Sequence, residues 1–89
     1  MFDGTGAALT EIIAWCDAGD AAALRDAGAW LRHLSGDEGV ALLGWVEFSD
    51  AAATELEGGD GSEPARRALA VAEQTGDRRL AERARPLAV

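Results

Sequence analysis

The sequence has no lysine, tyrosine or asparagine, and it contains one cysteine and one histidine. A single cysteine excludes a disulfide within the chain, and we interpret Cys16 as a buried helical thiol rather than a reactive one. A helical metal site would need several ligands at spacings such as Glu-x-x-His, and none occurs. We therefore expect no metal and no cofactor.

The chain also lacks a long hydrophobic run. No apolar stretch approaches the ~20 residues that a transmembrane helix needs, and MFDGTG at 1–6 has neither the basic nor the apolar region of a signal peptide. We expect a cytoplasmic protein with no membrane partner. The 89 residues make one domain, 1–89, with a flexible N-terminus over 1–5 and a thin core.

Charge is unevenly distributed along the chain, and the net charge is −8. Residues 1–63 contain 13 acidic residues and two arginines, whereas residues 64–89 contain three acidic residues and six arginines. Residues 1–63, which we call the acidic body, would repel phosphates, so we expect no nucleic-acid partner. The arginine-rich C-terminal part either pairs with the acidic body of the same or another chain, or forms a solvated helix face.

Two features could suggest ligand chemistry. FDGTG at 2–6 precedes a predicted helix, but it lacks the lysine of a P-loop, the spacing of a dinucleotide site and a preceding strand. His33 has Asp37 four residues on, but Gly36 lies between them, and a catalytic imidazole needs both an orienting group and a reactant. We interpret the first as a flexible N-terminus and the second as a surface or helix-end histidine, and we predict no catalytic residue.

Helical periodicity dominates the chain and predicts an all-α fold. A first helix over about 6–18 has apolar residues at i, i+3, i+4 and i+7: Leu9, Ile12, Ile13 and Cys16. Gly19 ends this helix, and Asp20 is placed to cap the second. The second helix carries one apolar stripe: Leu24, Ala27, Leu31 and Leu34.

SGDE at 35–38 fits a capping box for a third helix. This helix is predicted from about Asp37 to Leu56, and Ser49-Asp50 could break or kink it. GGDGS at 58–62 has three glycines in five residues and is the main loop.

Two further helices follow the main loop. Pro64 suits the first turn of a fourth helix that ends at Gly76, and Asp77 can cap a fifth helix that Pro86 ends. All connections are short, so the four or five helices should pack as antiparallel hairpins.

Residues 12–24 and 42–54 resemble each other, with five identities that include Trp15 with Trp45 and Asp20 with Asp50. The other three identities are alanines, and 20 of the 89 residues are alanine. A degenerate repeat and a coincidence in an alanine-rich chain both explain the match.

Residues 63–85 (EPARRALAVAEQTGDRRLAERAR) resemble the helical hairpin of the tetratricopeptide family. In that family the second helix of a unit has small, large and small residues at spacings of four and three, as Ala65, Leu69 and Ala72 do. Leu43-Gly44 matches the family's Leu-Gly pair, although Glu47 stands where an aromatic residue is expected. The resemblance implies a TPR-like array of stacked helix pairs that forms an interaction surface; the alternative architecture is a small helical bundle.

Three tryptophans are a large apolar load for a small helical domain. Trp15, Trp30 and Trp45 either pack in the core or anchor a partner at an interface, where tryptophan is enriched. With Leu31 and Leu34 of the second helix, they are the candidate interface residues.

Together these features predict a small non-enzymatic interaction or regulatory protein that binds a protein partner or forms a homodimer around Trp30. The alternative is a small helical enzyme or ligand-binding protein with an apolar, Trp-lined pocket between helices. In that case His33, Asp26 and Asp37 would be the acid–base candidates.

Overall fold

The structure is a computed structural model that describes residues 5–35 and 40–88. Over these residues the chain forms five α-helices and no strand, so the predicted all-α fold of a small helical bundle is confirmed. The helices are α1 (Thr5–Ala18), α2 (Ala21–Ser35), α3 (Val40–Leu56), α4 (Ser62–Thr75) and α5 (Arg78–Ala84).

The helix ends follow the local chemistry of the sequence. Gly19 and Gly76 have φ angles of 74° and 75°, a left-handed conformation that glycine adopts without the clash a Cβ would bring. Asp20 Oδ1 accepts a hydrogen bond from a first-turn N–H of α2 at 3.0 Å, and Asp77 Oδ1 accepts one from α5 at 3.1 Å. The predicted ends of α1 and α4 and the predicted caps of α2 and α5 are therefore confirmed.

Some boundaries differ from the prediction or fall outside the described ranges. Thr5, which we assigned to the flexible N-terminus, is the first residue of α1, and residues 1–4 lie outside the described ranges. The predicted capping box and the start of the third helix at Asp37 also fall outside them, apart from Ser35, which ends α2. Ser62, the last residue of the predicted loop, already belongs to α4. Its N–H has no partner within the helix and donates to Asp60 Oδ1 at 2.9 Å.

Helix α3 continues without a break through Ser49-Asp50. Ser49 Oγ donates a hydrogen bond to the Val46 carbonyl at 2.7 Å, so the buried hydroxyl is satisfied inside its own helix. Residues 19–20 separate α1 from α2, whereas the aligned residues 49–50 lie within α3. The similarity of 12–24 to 42–54 is therefore not a structural repeat.

The helices pack in two alternating layers around α3. Each helix contacts the next in the chain, α1 also contacts α3, and α3 also contacts α5; over the described residues α2 and α4 do not meet. One layer therefore contains α1, α3 and α5, and the other contains α2 and α4. Within the described ranges only α3 packs against all four other helices, which makes it the centre of the fold.

The core lies around α3, and Trp45 ties this helix to α5. The Trp45 ring is 3% exposed and meets Phe48 edge to face, with ring centroids 5.8 Å apart. Its Nε1–H donates to Asp77 Oδ2 at 2.9 Å. Because Asp77 also caps α5, one carboxylate both starts this helix and anchors it to the core.

Ion pairs on the surface join helices that are distant in sequence. Arg25 on α2 binds Asp50 at 3.0 Å and Glu57 at 2.6 Å. In the arginine-rich C-terminal part, Arg83 binds Asp17 of α1 at 3.2 Å. In the same part, Arg67 binds Glu47 of α3 at 2.7 Å. Over the described residues no ion pair involves the remaining four arginines of this part, Arg66, Arg78, Arg79 and Arg85. Part of the C-terminal charge therefore pairs with the acidic body, and part remains on a solvated face.

Acidification is expected to destabilise the fold. Hydrogen bonds from Arg25 lower the pKa of Glu57 below its ordinary value of 4.5, and hydrogen bonds from Ser62 lower the pKa of Asp60 below 3.8. Both groups therefore stabilise the fold fully above these ordinary values, and the stabilisation is lost as pH falls through the lower pKa values of the folded chain.

Thermal melts at a series of pH values from about 6 to about 2.5 should therefore show a falling Tm below roughly pH 4.5. Glu57→Gln should reduce the drop, whereas Glu73→Gln, at an exposed position on α4, serves as the matched control. A drop of equal size in all three proteins would contradict the role of the Arg25–Glu57 pair.

Candidate interaction groove

The structure separates the five candidate interface residues. Trp45 and Leu31 are 3% and 0% exposed and belong to the core, so a partner cannot reach them in the folded chain. Trp15 and Trp30 are 38% and 52% exposed. The side chain of Leu34 lies outside the described part of the structure. Among the described candidates, only Trp15 and Trp30 can serve as surface anchors.

Trp15 and Trp30 line the same open groove between α1 and α2, which has a volume of about 260 Å³. Helix α1 supplies two residues one turn apart, and α2 supplies four residues at the i, i+3, i+4 and i+7 positions of one face. We call this site the Trp groove: Glu11, Trp15, Ala23, Asp26, Ala27 and Trp30.

Helical spacing explains why these rings reach the surface. Over the described residues, the buried apolar side chains of α2 are Leu24, Ala27 and Leu31. Trp30 precedes Leu31 by one residue, about 100° around the helix. The Trp30 ring therefore lies at the edge of the core and is exposed to solvent. Ala23 and Ala27 carry no atoms beyond Cβ, and this leaves the groove unfilled between the larger side chains.

The groove is aromatic and negatively charged. Glu11 on α1 and Asp26 on α2 both line it, and within the described residues neither forms an ion pair or a side-chain hydrogen bond. His33 stacks on Trp30, with ring centroids 5.8 Å apart and an angle of 30° between the planes. This contact restricts the orientation of the Trp30 ring at one edge of the groove.

The sequence patterns indicated Trp15 and Trp30 as interface candidates and Asp26 as an acid–base candidate, but they did not indicate Glu11. The signal that could have found Glu11 is its position one turn before Trp15 on the same helix face. No pattern along the chain connects Glu11 with Asp26, because the turn between α1 and α2 brings them together.

A second open groove, of about 270 Å³, lies between α2 and α3 and is lined in part by Arg25, Ser49 and Asp50. The guanidinium of Arg25 is occupied by Asp50 and Glu57 of the same chain. The polar groups of this second groove therefore hold α2 and α3 together, and we assign the groove a structural role.

The acid–base candidates do not form a catalytic cluster over the described residues. His33 is exposed and stacks on Trp30, Asp26 lies in the Trp groove, and Asp37 falls outside the described ranges. Cys16 is partly buried, and burial raises the pKa of its thiol, which disfavours the reactive thiolate.

The described residues contain neither a metal site nor a membrane-spanning helix. In residues 5–35 and 40–88, no group of three or more His, Cys, Asp and Glu side chains is placed to hold a metal ion. No helix in this part of the chain has the length and apolar character required to cross a bilayer.

Comparisons with known proteins gave no match. No family model matches the chain, and neither a curated protein nor a solved structure is similar to it. The residues of the Trp groove are therefore the basis for a functional proposal.

Proposed function

We propose that the protein is a small non-enzymatic interaction protein that binds a protein partner, or a second copy of itself, through the Trp groove. The observation that carries this proposal is the exposure of Trp15 and Trp30 along one groove. Burial of apolar surface contributes roughly 25 cal/mol per Å², and tryptophan is among the residues most enriched at binding hot spots. A partner that covers both rings would gain this energy at one site.

The packing order supports a TPR-like arrangement as part of the proposal. In TPR-like arrays, helix pairs stack side by side and present an extended binding surface. The alternation of α1, α3 and α5 with α2 and α4 is compatible with such stacking, and Ala65 and Ala72 are buried on α4 as the resemblance implies. A cytoplasmic location also remains part of the proposal.

A ligand-binding protein or enzyme is the second candidate, because His33 adjoins Trp30 and Asp26 lines the same groove. We rank it lower because small-molecule sites bury most of their ligand, whereas the Trp groove is open. Thermal stabilisation by a small molecule that is lost in Trp30→Ser would favour this second candidate.

Replacing either exposed tryptophan by serine should strongly weaken partner binding without unfolding the chain. Wild type, Trp15→Ser and Trp30→Ser would be compared as immobilised baits in a lysate of the source cells. Truncation of a hot-spot residue costs about 2 kcal/mol or more, so recovery of a specific partner should fall at least about tenfold. Leu43→Ser is the matched control, because Leu43 is 42% exposed on α3 and lies outside the Trp groove.

Light scattering on the same proteins distinguishes self-association from binding of another protein. A dimer that Trp30→Ser converts to a monomer would identify a second copy as the partner. A monomeric wild type, together with equal recovery of proteins by all four baits, would contradict the proposed function.

A further inference from the structure

We infer that the Trp groove receives a positively charged side chain, arginine or lysine, carried by a segment of a protein partner. This inference rests on the proposed function and adds the chemistry of the occupant. It follows from the combination of exposed indole rings, unpaired carboxylates and empty volume in one groove.

The aromatic walls favour a cation. The face of an indole ring carries partial negative charge and attracts a guanidinium or ammonium group within about 6 Å of the ring centre. Trp15 and Trp30 line the groove from different helices, and His33 stacks on Trp30. The groove therefore offers two indole rings, one of them restricted in orientation by a neighbouring ring.

The carboxylates of the groove differ from several others on the surface of the chain. Asp17, Glu47, Asp50 and Glu57 are each paired with an arginine of the chain. Within the described residues, Glu11 and Asp26 have no such partner, although both line the Trp groove. Two uncompensated negative charges beside the two rings are complementary to a cationic side chain.

The net charge of the whole chain also favours a positively charged occupant. The net charge is −8, and residues 1–63 contain 13 acidic residues against two arginines. Such a field attracts basic segments and accelerates their encounter with the protein. A purely apolar segment would instead cover Glu11 and Asp26 without replacing their contacts with water, which is unfavourable.

The groove has room for a long side chain. Its volume of about 260 Å³ is several times the roughly 30 Å³ that one water molecule occupies in the liquid. Ala23 and Ala27 keep the space between the rings open. The apolar stem of an arginine or lysine can pack along these alanines while the charged group meets the rings and carboxylates.

The test is an NMR titration of the full chain with two capped five-residue peptides of glycine and alanine. One peptide carries arginine at its centre, and the other carries citrulline, its neutral isostere. The indole N–H signals of Trp15 and Trp30 report on the groove. The indole N–H signal of Trp45, whose Nε1–H donates a hydrogen bond to Asp77, is an internal control.

The arginine peptide should shift the signals of Trp15 and Trp30, leave that of Trp45 unchanged, and bind about fivefold or more tightly than the citrulline peptide. Its affinity should fall as salt increases. The double change Glu11→Gln and Asp26→Asn should remove most of this preference. Glu73→Gln, an exposed acid on α4, should keep it.

The outcomes separate this inference from the proposed function. Equal affinities for the two peptides, or no shift of either groove signal while partner recovery still depends on Trp30, would overturn the inference and leave the proposed function standing. A dimer whose interface covers the Trp groove would also overturn it, because the occupant would be a second copy. Partner recovery that is insensitive to both Trp15 and Trp30 would instead remove the proposed function.

Discussion

Replacing Trp45 by alanine should lower the free energy of unfolding by about 3–5 kcal/mol, whereas Trp30→Ala should lower it by about 1 kcal/mol or less. Trp45 is 3% exposed and packs against Phe48, and its Nε1–H bonds to Asp77. The alanine variant therefore loses ring packing, leaves a cavity and deprives Asp77 of a donor. At Trp30, half of the residue's surface already faces water.

Denaturant unfolding followed by far-ultraviolet circular dichroism measures both losses without relying on tryptophan fluorescence. Since small domains have limited stability, Trp45→Ala could unfold the chain altogether, and Trp45→Phe provides a second measurement. The phenylalanine retains much of the ring but loses the N–H that bonds to a carboxylate, so a loss of about 1.5–3 kcal/mol is expected. Equal losses for Trp45→Ala and Trp30→Ala would contradict the assignment of one ring to the core and the other to the surface.

The second large effect is expected at Gly61, although this residue lies in a glycine-rich loop. A Cβ built there would lie about 3.0 Å from the Ala51 carbonyl carbon and 3.1 Å from its Cα, and it would come closer still to the carbonyl oxygen. These are backbone atoms of α3, so no side-chain rotation can relieve the contact. Gly61→Ala should therefore force α3 and α4 apart and lower the free energy of unfolding by about 1–3 kcal/mol.

Two variants test this explanation of Gly61. Gly58→Asn is the matched control, because Gly58 has φ 87° with no atom near the Cβ position, and asparagine tolerates that conformation. It should cost less than Gly61→Ala. Ala51→Gly removes only the side chain of Ala51, so it should fail to rescue Gly61→Ala; full rescue would show that the clash is not with backbone.

Helix ends were predictable because their chemistry is local. Gly19 and Gly76 supply left-handed turns, and Asp20 and Asp77 supply acceptors to the free N–H groups that follow them. These interactions join residues within a few positions of one another. A sequence pattern therefore contains all the groups that decide the outcome.

The burial of each tryptophan was not predictable from the same patterns. Trp15 and Trp45 align with each other and lie beside similar apolar stripes, yet they are 38% and 3% exposed. The difference arises because α3 packs closely against all four other helices, whereas the backbone of α1 packs closely against only α2 and α3 over the described residues. Exposure here depends on which helices surround a ring, and that information is not local.

The role of Gly61 and the composition of the Trp groove also depend on tertiary packing, which the local sequence does not contain. Three glycines in five residues predicted a loop, but a glycine required for close approach to α3 looks the same in sequence as one required for a turn. Likewise, Glu11 and Asp26 are two of many irregularly spaced acids until the packing of α1 against α2 places them in one groove.

Hydrogen exchange of the three indole N–H protons in the free chain tests most directly whether Trp15 and Trp30 form an open binding surface on a core held by Trp45. At concentrations where the chain is monomeric, the protons of Trp15 and Trp30 should exchange nearly as fast as those of an unfolded chain. That of Trp45 should exchange roughly a thousandfold or more slowly, because it requires opening of the core. Protection of Trp15 or Trp30 as strong as that of Trp45 would contradict the existence of the groove as a free site.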